Sequence, residues 1–287
     1  MAVITHDAIP QVVAELERRK AKLYHACQLK DLRSYLQLGG VPSRNLLDSN
    51  GLPYTAFETD PGDQRKGLWK LVFFNLSDFG SPFARGSNNL PNPYGPILLC
   101  FNPRVIERAN DISITLRSAG AGDFDREAEG LSAEDVPTLF RHSNGPCVWP
   151  PEELRCKFEN QKARSPEMSC SFDDELAVMD CLAYIRVDPY SFDGRCLPDV
   201  VRETVLGHEP SYRVFARDRC NDVLRYQVLW DVITRTVPSG GDVLSLIGED
   251  SLMSTWADRV RSQSKLSFQF NRYVRYLFDG TIRECVS

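Results

Sequence analysis

The sequence is poor in several of the residues and patterns that mark common protein classes. Only four histidines occur in 287 residues, His6, His25, His142 and His208, so few imidazoles are on hand for acid–base work. The nine cysteines, Cys27, Cys100, Cys147, Cys156, Cys170, Cys181, Cys196, Cys220 and Cys285, include no C-x-x-C pair. An odd, scattered set indicates neither a zinc site nor a disulfide framework, and reduced thiols are expected. No apolar run reaches the roughly 18–20 residues of a membrane span, and residues 1–10 have neither a basic leader nor an apolar core. A cytoplasmic protein without a membrane partner is expected. Walker A, G-x-G-x-x-G after a strand, H-E-x-x-H and G-x-S-x-G are all missing, which removes the commoner phosphate, dinucleotide, zinc and hydrolase signatures. Positive charge is not in excess either: 34 Lys and Arg stand against 39 Asp and Glu, a net charge of -5. Wholesale wrapping of nucleic acid, which rests on phosphate neutralisation, is therefore disfavoured.

What is present is an ordinary globular composition, 42% hydrophobic and 25% charged, enough for one large core or two modest ones. Residues 8–26 read as a helix with Val12, Val13, Leu16 and Leu23 on one stripe. Residues 23–27 read as a short strand, and residues 29–38 as a helix stopped by Gly39-Gly40. Residues 50–66, rich in Pro, Gly and Asp, read as loop, and residues 68–76 as an unbroken central strand. A loop over residues 84–95, a strand over 96–101, a proline-led helix from Pro103 and a half-exposed alternating strand over 112–116 follow. Residues 131–140 suggest a short helix with Ser132 and Asp135 as an imperfect capping box. Later come a helix over 198–206, a strand over 211–216, a helix over 221–236 and a segment over 266–278 open between strand and helix. The end of the chain is basic, with Arg259, Arg261, Lys265, Arg272, Arg275 and Arg283 against Asp258, Asp279 and Glu284, a hint of a charged partner.

The stretch that organises the chain is Asp173-Asp174-Glu175 followed by two apolar segments separated by Met179-Asp180. Two buried strands are predicted, with Glu175 at the loop-to-strand junction; residues 164–172 lack any period and read as a surface loop leading into it. A carboxylate fixed at the start of a strand suits a general base, and with so few histidines Glu175 is the best candidate. The alternative is a solvated acidic loop end. A further alternative is a metal-dependent nuclease in which Asp173, Glu175 and Asp180 hold magnesium.

Three stretches in order carry a resemblance: Leu23-Tyr24-His25 with its short helix and Gly39-Gly40, Leu71-Val72-Phe73-Phe74 running to Ser77 and Ser81-Pro82, and Glu175-Leu176-Ala177-Val178 opening a late strand. Together they resemble the DarT-like ADP-ribosyltransferases, toxins of bacterial toxin–antitoxin and anti-phage systems. The resemblance implies an α+β fold with a split mixed β-sheet and peripheral helices. It further implies NAD as co-substrate, no metal, a nucleic-acid base as acceptor (DNA first, RNA second), and a cognate antitoxin protein. Carried onto this chain, Glu175 is the catalytic acid–base residue and His25 contacts the NAD ribose, with Tyr24, Phe74 and Ser77 also on the co-substrate. Arg44 or Arg65 clamps the pyrophosphate, Arg44 being preferred, and Asp173 and Arg164 help select the acceptor. A protein acceptor is the rival within the same fold. The expected organisation is a catalytic core over residues 1–195 and an extension over 196–287 that serves substrate recognition, where Arg272-Tyr273-Val274-Arg275-Tyr276 would suit unstacked bases.

Overall fold

The computed structural model describes residues 3–55, 60–78, 97–119, 124–156, 166–187, 191–192 and 195–217. The expected helix over 221–236, the segment over 266–278 and the basic–aromatic run at Arg272–Tyr276 lie outside them. The described residues are α+β, with a large mixed sheet and several helices. The chain divides into two compact units: Met1–His25, Ser34–Phe79 and Leu99–Tyr184 form the first, and Ala26–Arg33, Gly80–Leu98 and Ile185–Ser287 the second.

In the first unit, strand β1 (Ile4–Thr5) precedes helix α1 (Ile9–Arg18), whose Ile9, Val12, Val13 and Leu16 form the expected buried stripe. The helix stops at Arg18 rather than continuing to residue 26. Lys20 takes a left-handed φ of 56°, and the Ala21 amide turns back to the Leu16 carbonyl, a Schellman-type ending that frees Leu23 for a strand. Strand β2 (Leu23–Cys27) and helix α2 (Leu29–Leu38) follow where the sequence placed them, and Gly39, at φ 74°, ends the helix. Strand β3 (Gly40–Pro42) and helix α3 (Arg44–Ser49) were not read from the sequence, nor was helix α4 (Asp60–Arg65), inside the stretch read as loop. Strand β4 (Val72–Asn75) is shorter than expected, because the Leu71 amide bonds to the Leu68 carbonyl and folds residues 68–71 into a turn.

Strand β5 (Ile97–Phe101) is wholly buried, and the proline-led segment after it, Pro103–Arg108, is a 3-10 rather than an α-helix. Strand β6 (Asp111–Thr115) was expected to be half exposed, yet Ile112 through Thr115 are all buried. The strand pairs on both edges, and its polar side chains are satisfied internally: Ser113 Oγ donates to the Arg126 carbonyl and Thr115 Oγ1 to the Arg117 carbonyl. Helix α5 (Arg126–Glu129) leads to the 3-10 helix Ala133–Leu139, where Ser132 and Asp135 form a full capping box, and to the short helix α6 (Glu152–Cys156).

Residues 167–171 are not loop but strand β7 (Glu167–Ser171), paired antiparallel with β4 from Val72↔Cys170 to Asn75↔Glu167 and with β6 from Asp111↔Ser171 to Thr115↔Glu167. Its Met-Ser-Cys centre has weak strand propensity and no alternation, because both faces are buried and pairing on two edges decides its state. The hydrogen-bonded order in this unit is β1-β6-β7-β4-β2. Strand β8 (Leu176–Val178), a 3-10 turn at Met179–Cys181 and strand β9 (Leu182–Val187) follow at the predicted positions, but they are not the buried strands expected: only Ala177 of β8 and Ile185 and Val187 of β9 are buried.

In the second unit, Ile185–Val187 of β9 pair in parallel with strand β12 (Val214–Ala216). Between them lie a two-stranded ribbon, β10 (Ser191–Phe192) with β11 (Arg195–Cys196), and helix α7 (Leu197–Leu206), which buries Leu197, Pro198, Val200, Val201 and Val205. No helix of the described residues is long and apolar enough to cross a membrane.

Candidate active site

The site lies within the first unit and is assembled by the β3–β8 ribbon. Gly40 pairs with Val178, Val41 with Ala177 and Pro42 with Leu176, so the residue after β3 and the residue before β8 meet. Position 40 must be glycine for this approach: a Cβ there would stand 2.6 Å from the Ala177 carbonyl oxygen. The Ser43 amide donates to the Glu175 carbonyl at 2.8 Å, and the Glu175 amide donates to the Phe172 carbonyl at 3.1 Å. Glu175 itself sits at φ 54°, a left-handed conformation that costs a non-glycine residue about 1 kcal/mol. Such strain is retained where the surroundings over-determine a side chain's position.

Those surroundings are the first turn of α3. Ser43 is the N-cap, and its Oγ accepts from the Leu46 amide at 3.0 Å. The same hydroxyl donates to Glu175 Oε2 at 2.6 Å. Asn45 Nδ2 reaches both carboxylate oxygens, Oε1 at 3.1 Å and Oε2 at 3.0 Å, while its amide donates to the Trp69 carbonyl at 3.0 Å. Lys70 Nζ stands 3.7 Å from Oε1 on a side chain that is 71% exposed, against 18% for Glu175. Two neutral donors and one solvent-facing cation thus converge on a carboxylate held at the end of a strand. The arrangement can stabilise positive charge developing close by and take up a proton without rearranging.

The other acids go elsewhere. Asp173 is exposed and accepts from Asn110 Nδ2 at 2.8 Å, Asp174 accepts from the Leu176 amide at 3.3 Å, and Asp180 faces Arg108 at 3.8 Å. Asp173, Glu175 and Asp180, the magnesium triad of the nuclease alternative, therefore take three separate partners. Among the described residues no three His, Cys, Asp or Glu side chains are grouped as metal ligands.

Arg44, flanked by Ser43 and Asn45, lays its guanidinium 4.8 Å over the Tyr54 ring. Tyr54 in turn donates to Asp48 at 2.8 Å, and burial together with that bond pushes its hydroxyl up to about 12. His25 is occupied within the protein, Nδ1 with the Phe73 carbonyl at 2.7 Å and Nε2 with the Tyr35 hydroxyl at 3.2 Å. Phe74 is fully buried, edge-on to Phe101 at 5.5 Å, and is a core residue. Tyr24 is half-buried and pairs with Asn75, Ser77 is half-buried just beyond β4, and Arg65 is exposed at the end of α4. Arg164 lies outside the described residues.

Sequence reasoning singled out Arg44 and passed over its two neighbours, which are the ones that hold Glu175. Neither flanking element, β3 nor α3, shows in the sequence pattern, so the N-cap role of Ser43 and the reach of Asn45 emerge only from the pairing of β3 with β8.

No protein-family model matches the sequence, and no curated protein sequence matches it. Among solved structures, one described as Thermus sp. 2.9 DarT in complex with ADP-ribosylated ssDNA is similar at 16% identity, with a TM-score of 0.41, over 70% of this chain and 95% of that chain. A likeness at that level carries nothing about the chemistry of the present chain.

Proposed function

We propose that the chain is an NAD-dependent ADP-ribosyltransferase that modifies a nucleic-acid base, with Glu175 as its catalytic carboxylate. The observation that carries this reading is the fixed, donor-ringed Glu175 at the mouth of β8, where the sequence resemblance places the catalytic glutamate. In the reaction, the bond between nicotinamide and ribose C1′ breaks and its electron pair leaves with nicotinamide. The positive charge that builds on C1′ and its ring oxygen is stabilised by the Glu175 carboxylate. A nitrogen of the acceptor base then bonds to C1′, and the proton it loses passes to Glu175 and on to water.

For binding, Arg44 offers a planar cation pre-oriented on Tyr54 and suited to a pyrophosphate. The half-buried Tyr24 and Ser77 and the exposed Arg65 are further co-substrate contacts in this reading, and Asp173 and Arg164 address the acceptor. His25 and Phe74 would act from within the fold, by fixing β2 and β4, rather than by touching NAD. DNA is the first acceptor and RNA the second; a toxin role with a cognate antitoxin follows from the same resemblance.

Nicotinamide release from NAD tests this directly. The wild type should release it in the presence of chelator, and Glu175→Ala should lower the rate by two to three orders of magnitude, the usual cost of removing a stabiliser of developing charge, about 10²–10³-fold. Chelator-sensitive phosphodiester cleavage with NAD left intact would replace this reading with the nuclease.

A further inference from the structure

The two oxygens of Glu175 are not equivalent. Oε2 receives the short 2.6 Å bond from Ser43 Oγ and a 3.0 Å contact from Asn45 Nδ2, whereas Oε1 has Asn45 at 3.1 Å and the exposed Lys70 ammonium at 3.7 Å. The direction of the Ser43 hydroxyl is settled by its other partner. Because Oγ accepts the Leu46 amide at 3.0 Å as the N-cap of α3, its own proton is available to Glu175. Asn45 is rigidly seated as well: its amide is bonded to the Trp69 carbonyl, so its side chain projects from a turn anchored at both ends. A carboxylate has about four lone-pair sites, and on Oε2 two donors take both. Oε1 keeps capacity for a substrate on the side where Lys70 meets solvent.

We infer that Asn45 is the positioning residue of this site: it bridges the two Glu175 oxygens and thereby commits Oε2 to the protein and Oε1 to the reacting atoms. This deepens the transferase reading and rests on it for the chemistry, though not for the contact. Ser43 alone would leave the carboxylate able to rotate about its single strong bond, and Lys70, at 3.7 Å on an exposed side chain, is too loosely held to stop it. The Asn45 amide group spans both oxygens and removes that freedom, which is the kind of positioning whose loss can cost about 10²-fold in rate.

The test uses the full chain and the isosteric substitution Asn45→Asp beside Asn45→Ala. Asp keeps the shape of the side chain and the backbone bond to Trp69 but replaces the donor with an acceptor. Nicotinamide release should fall about 10²-fold in kcat in both variants, with KM for NAD within about threefold of the wild type. The melting temperatures of Asn45→Ala, Glu175→Ala and the double variant should be non-additive, the second substitution costing less once the first is made. Retained kcat in Asn45→Asp, or additive melting shifts, would overturn the inference while leaving Glu175 as the catalytic group. If the wild type released no nicotinamide, the transferase reading would fall and the melting cycle alone would decide whether Asn45 holds Glu175.

Discussion

The Ser43 hydroxyl donates to Glu175 Oε2 at 2.6 Å across 132 positions of sequence, and the same oxygen caps α3 by accepting the Leu46 amide. One side chain therefore joins the stability of a helix to the placement of the candidate catalytic acid. Ser43→Ala should lose both, destabilising the protein by about 1–2 kcal/mol and lowering activity. Ser43→Asp can still cap but sets a second carboxylate against Glu175. Urea unfolding should show a smaller loss of stability for Asp than activity alone would suggest, with nicotinamide release at least as damaged as in Ser43→Ala.

The left-handed φ of 54° at Glu175 separates backbone strain from side-chain contacts. Glu175→Ala and Glu175→Gly remove the same hydrogen bonds, but glycine adopts this conformation without penalty. The Gly variant should be the more stable by about 1 kcal/mol, read as a difference in urea midpoints at equal slope, and both should release nicotinamide about 10²–10³-fold more slowly than the wild type.

Gly40 marks the closest approach in the β3–β8 ribbon, where an added Cβ would stand 2.6 Å from the Ala177 carbonyl oxygen and 2.7 Å from the Leu176 side chain. Gly40→Ala should cost on the order of 1–3 kcal/mol and, by prising Ser43 from Glu175, should lower kcat as well. Melting temperature and turnover measured on one preparation check both effects.

How far the site could be read from sequence follows from these contacts. Glu175 was legible because an acidic triplet ran straight into an apolar strand, a pattern that local chemistry alone imposes. Ser43 and Asn45 were not, since their role depends on β3 pairing with β8 across the chain, and a three-residue strand of Gly-Val-Pro gives no periodic signal. The same reason hid β7: a strand buried on both faces and centred on Met168, Ser169 and Cys170 is specified by its two neighbours rather than by its own residues. His25 and Phe74 were correctly placed on strands, but whether a strand residue faces a ligand or the core is set by packing. Phe74 packs against Phe101, and the half-buried His25 bonds to the Phe73 carbonyl and the Tyr35 hydroxyl.

At the other end of β7, burial pushes the Glu167 carboxyl up to about 7, with Asp63 adding to the rise, against the lowering effect of hydrogen bonds from the Ala119 amide and Ser118. Its folded value lies above its unfolded value near 4.5, so the folded state holds the proton more tightly. The contribution to stability is present in full below about 4.5 and is lost as pH rises through about 7. Glu167→Gln, which keeps the neutral shape, should flatten this fall between pH 5 and 8. Urea midpoints across that range would show it.

Glu175 is proposed to drive transfer of ADP-ribose from NAD to a nucleic acid. The most direct measurement is transfer of label from NAD carrying a tagged adenine, with single-stranded DNA, RNA and lysate protein offered separately to wild type and Glu175→Ala. Label on nucleic acid, DNA before RNA, that disappears in Glu175→Ala is the predicted result. Label on protein alone would overturn the acceptor, and no label on any acceptor with no nicotinamide released would contradict the account.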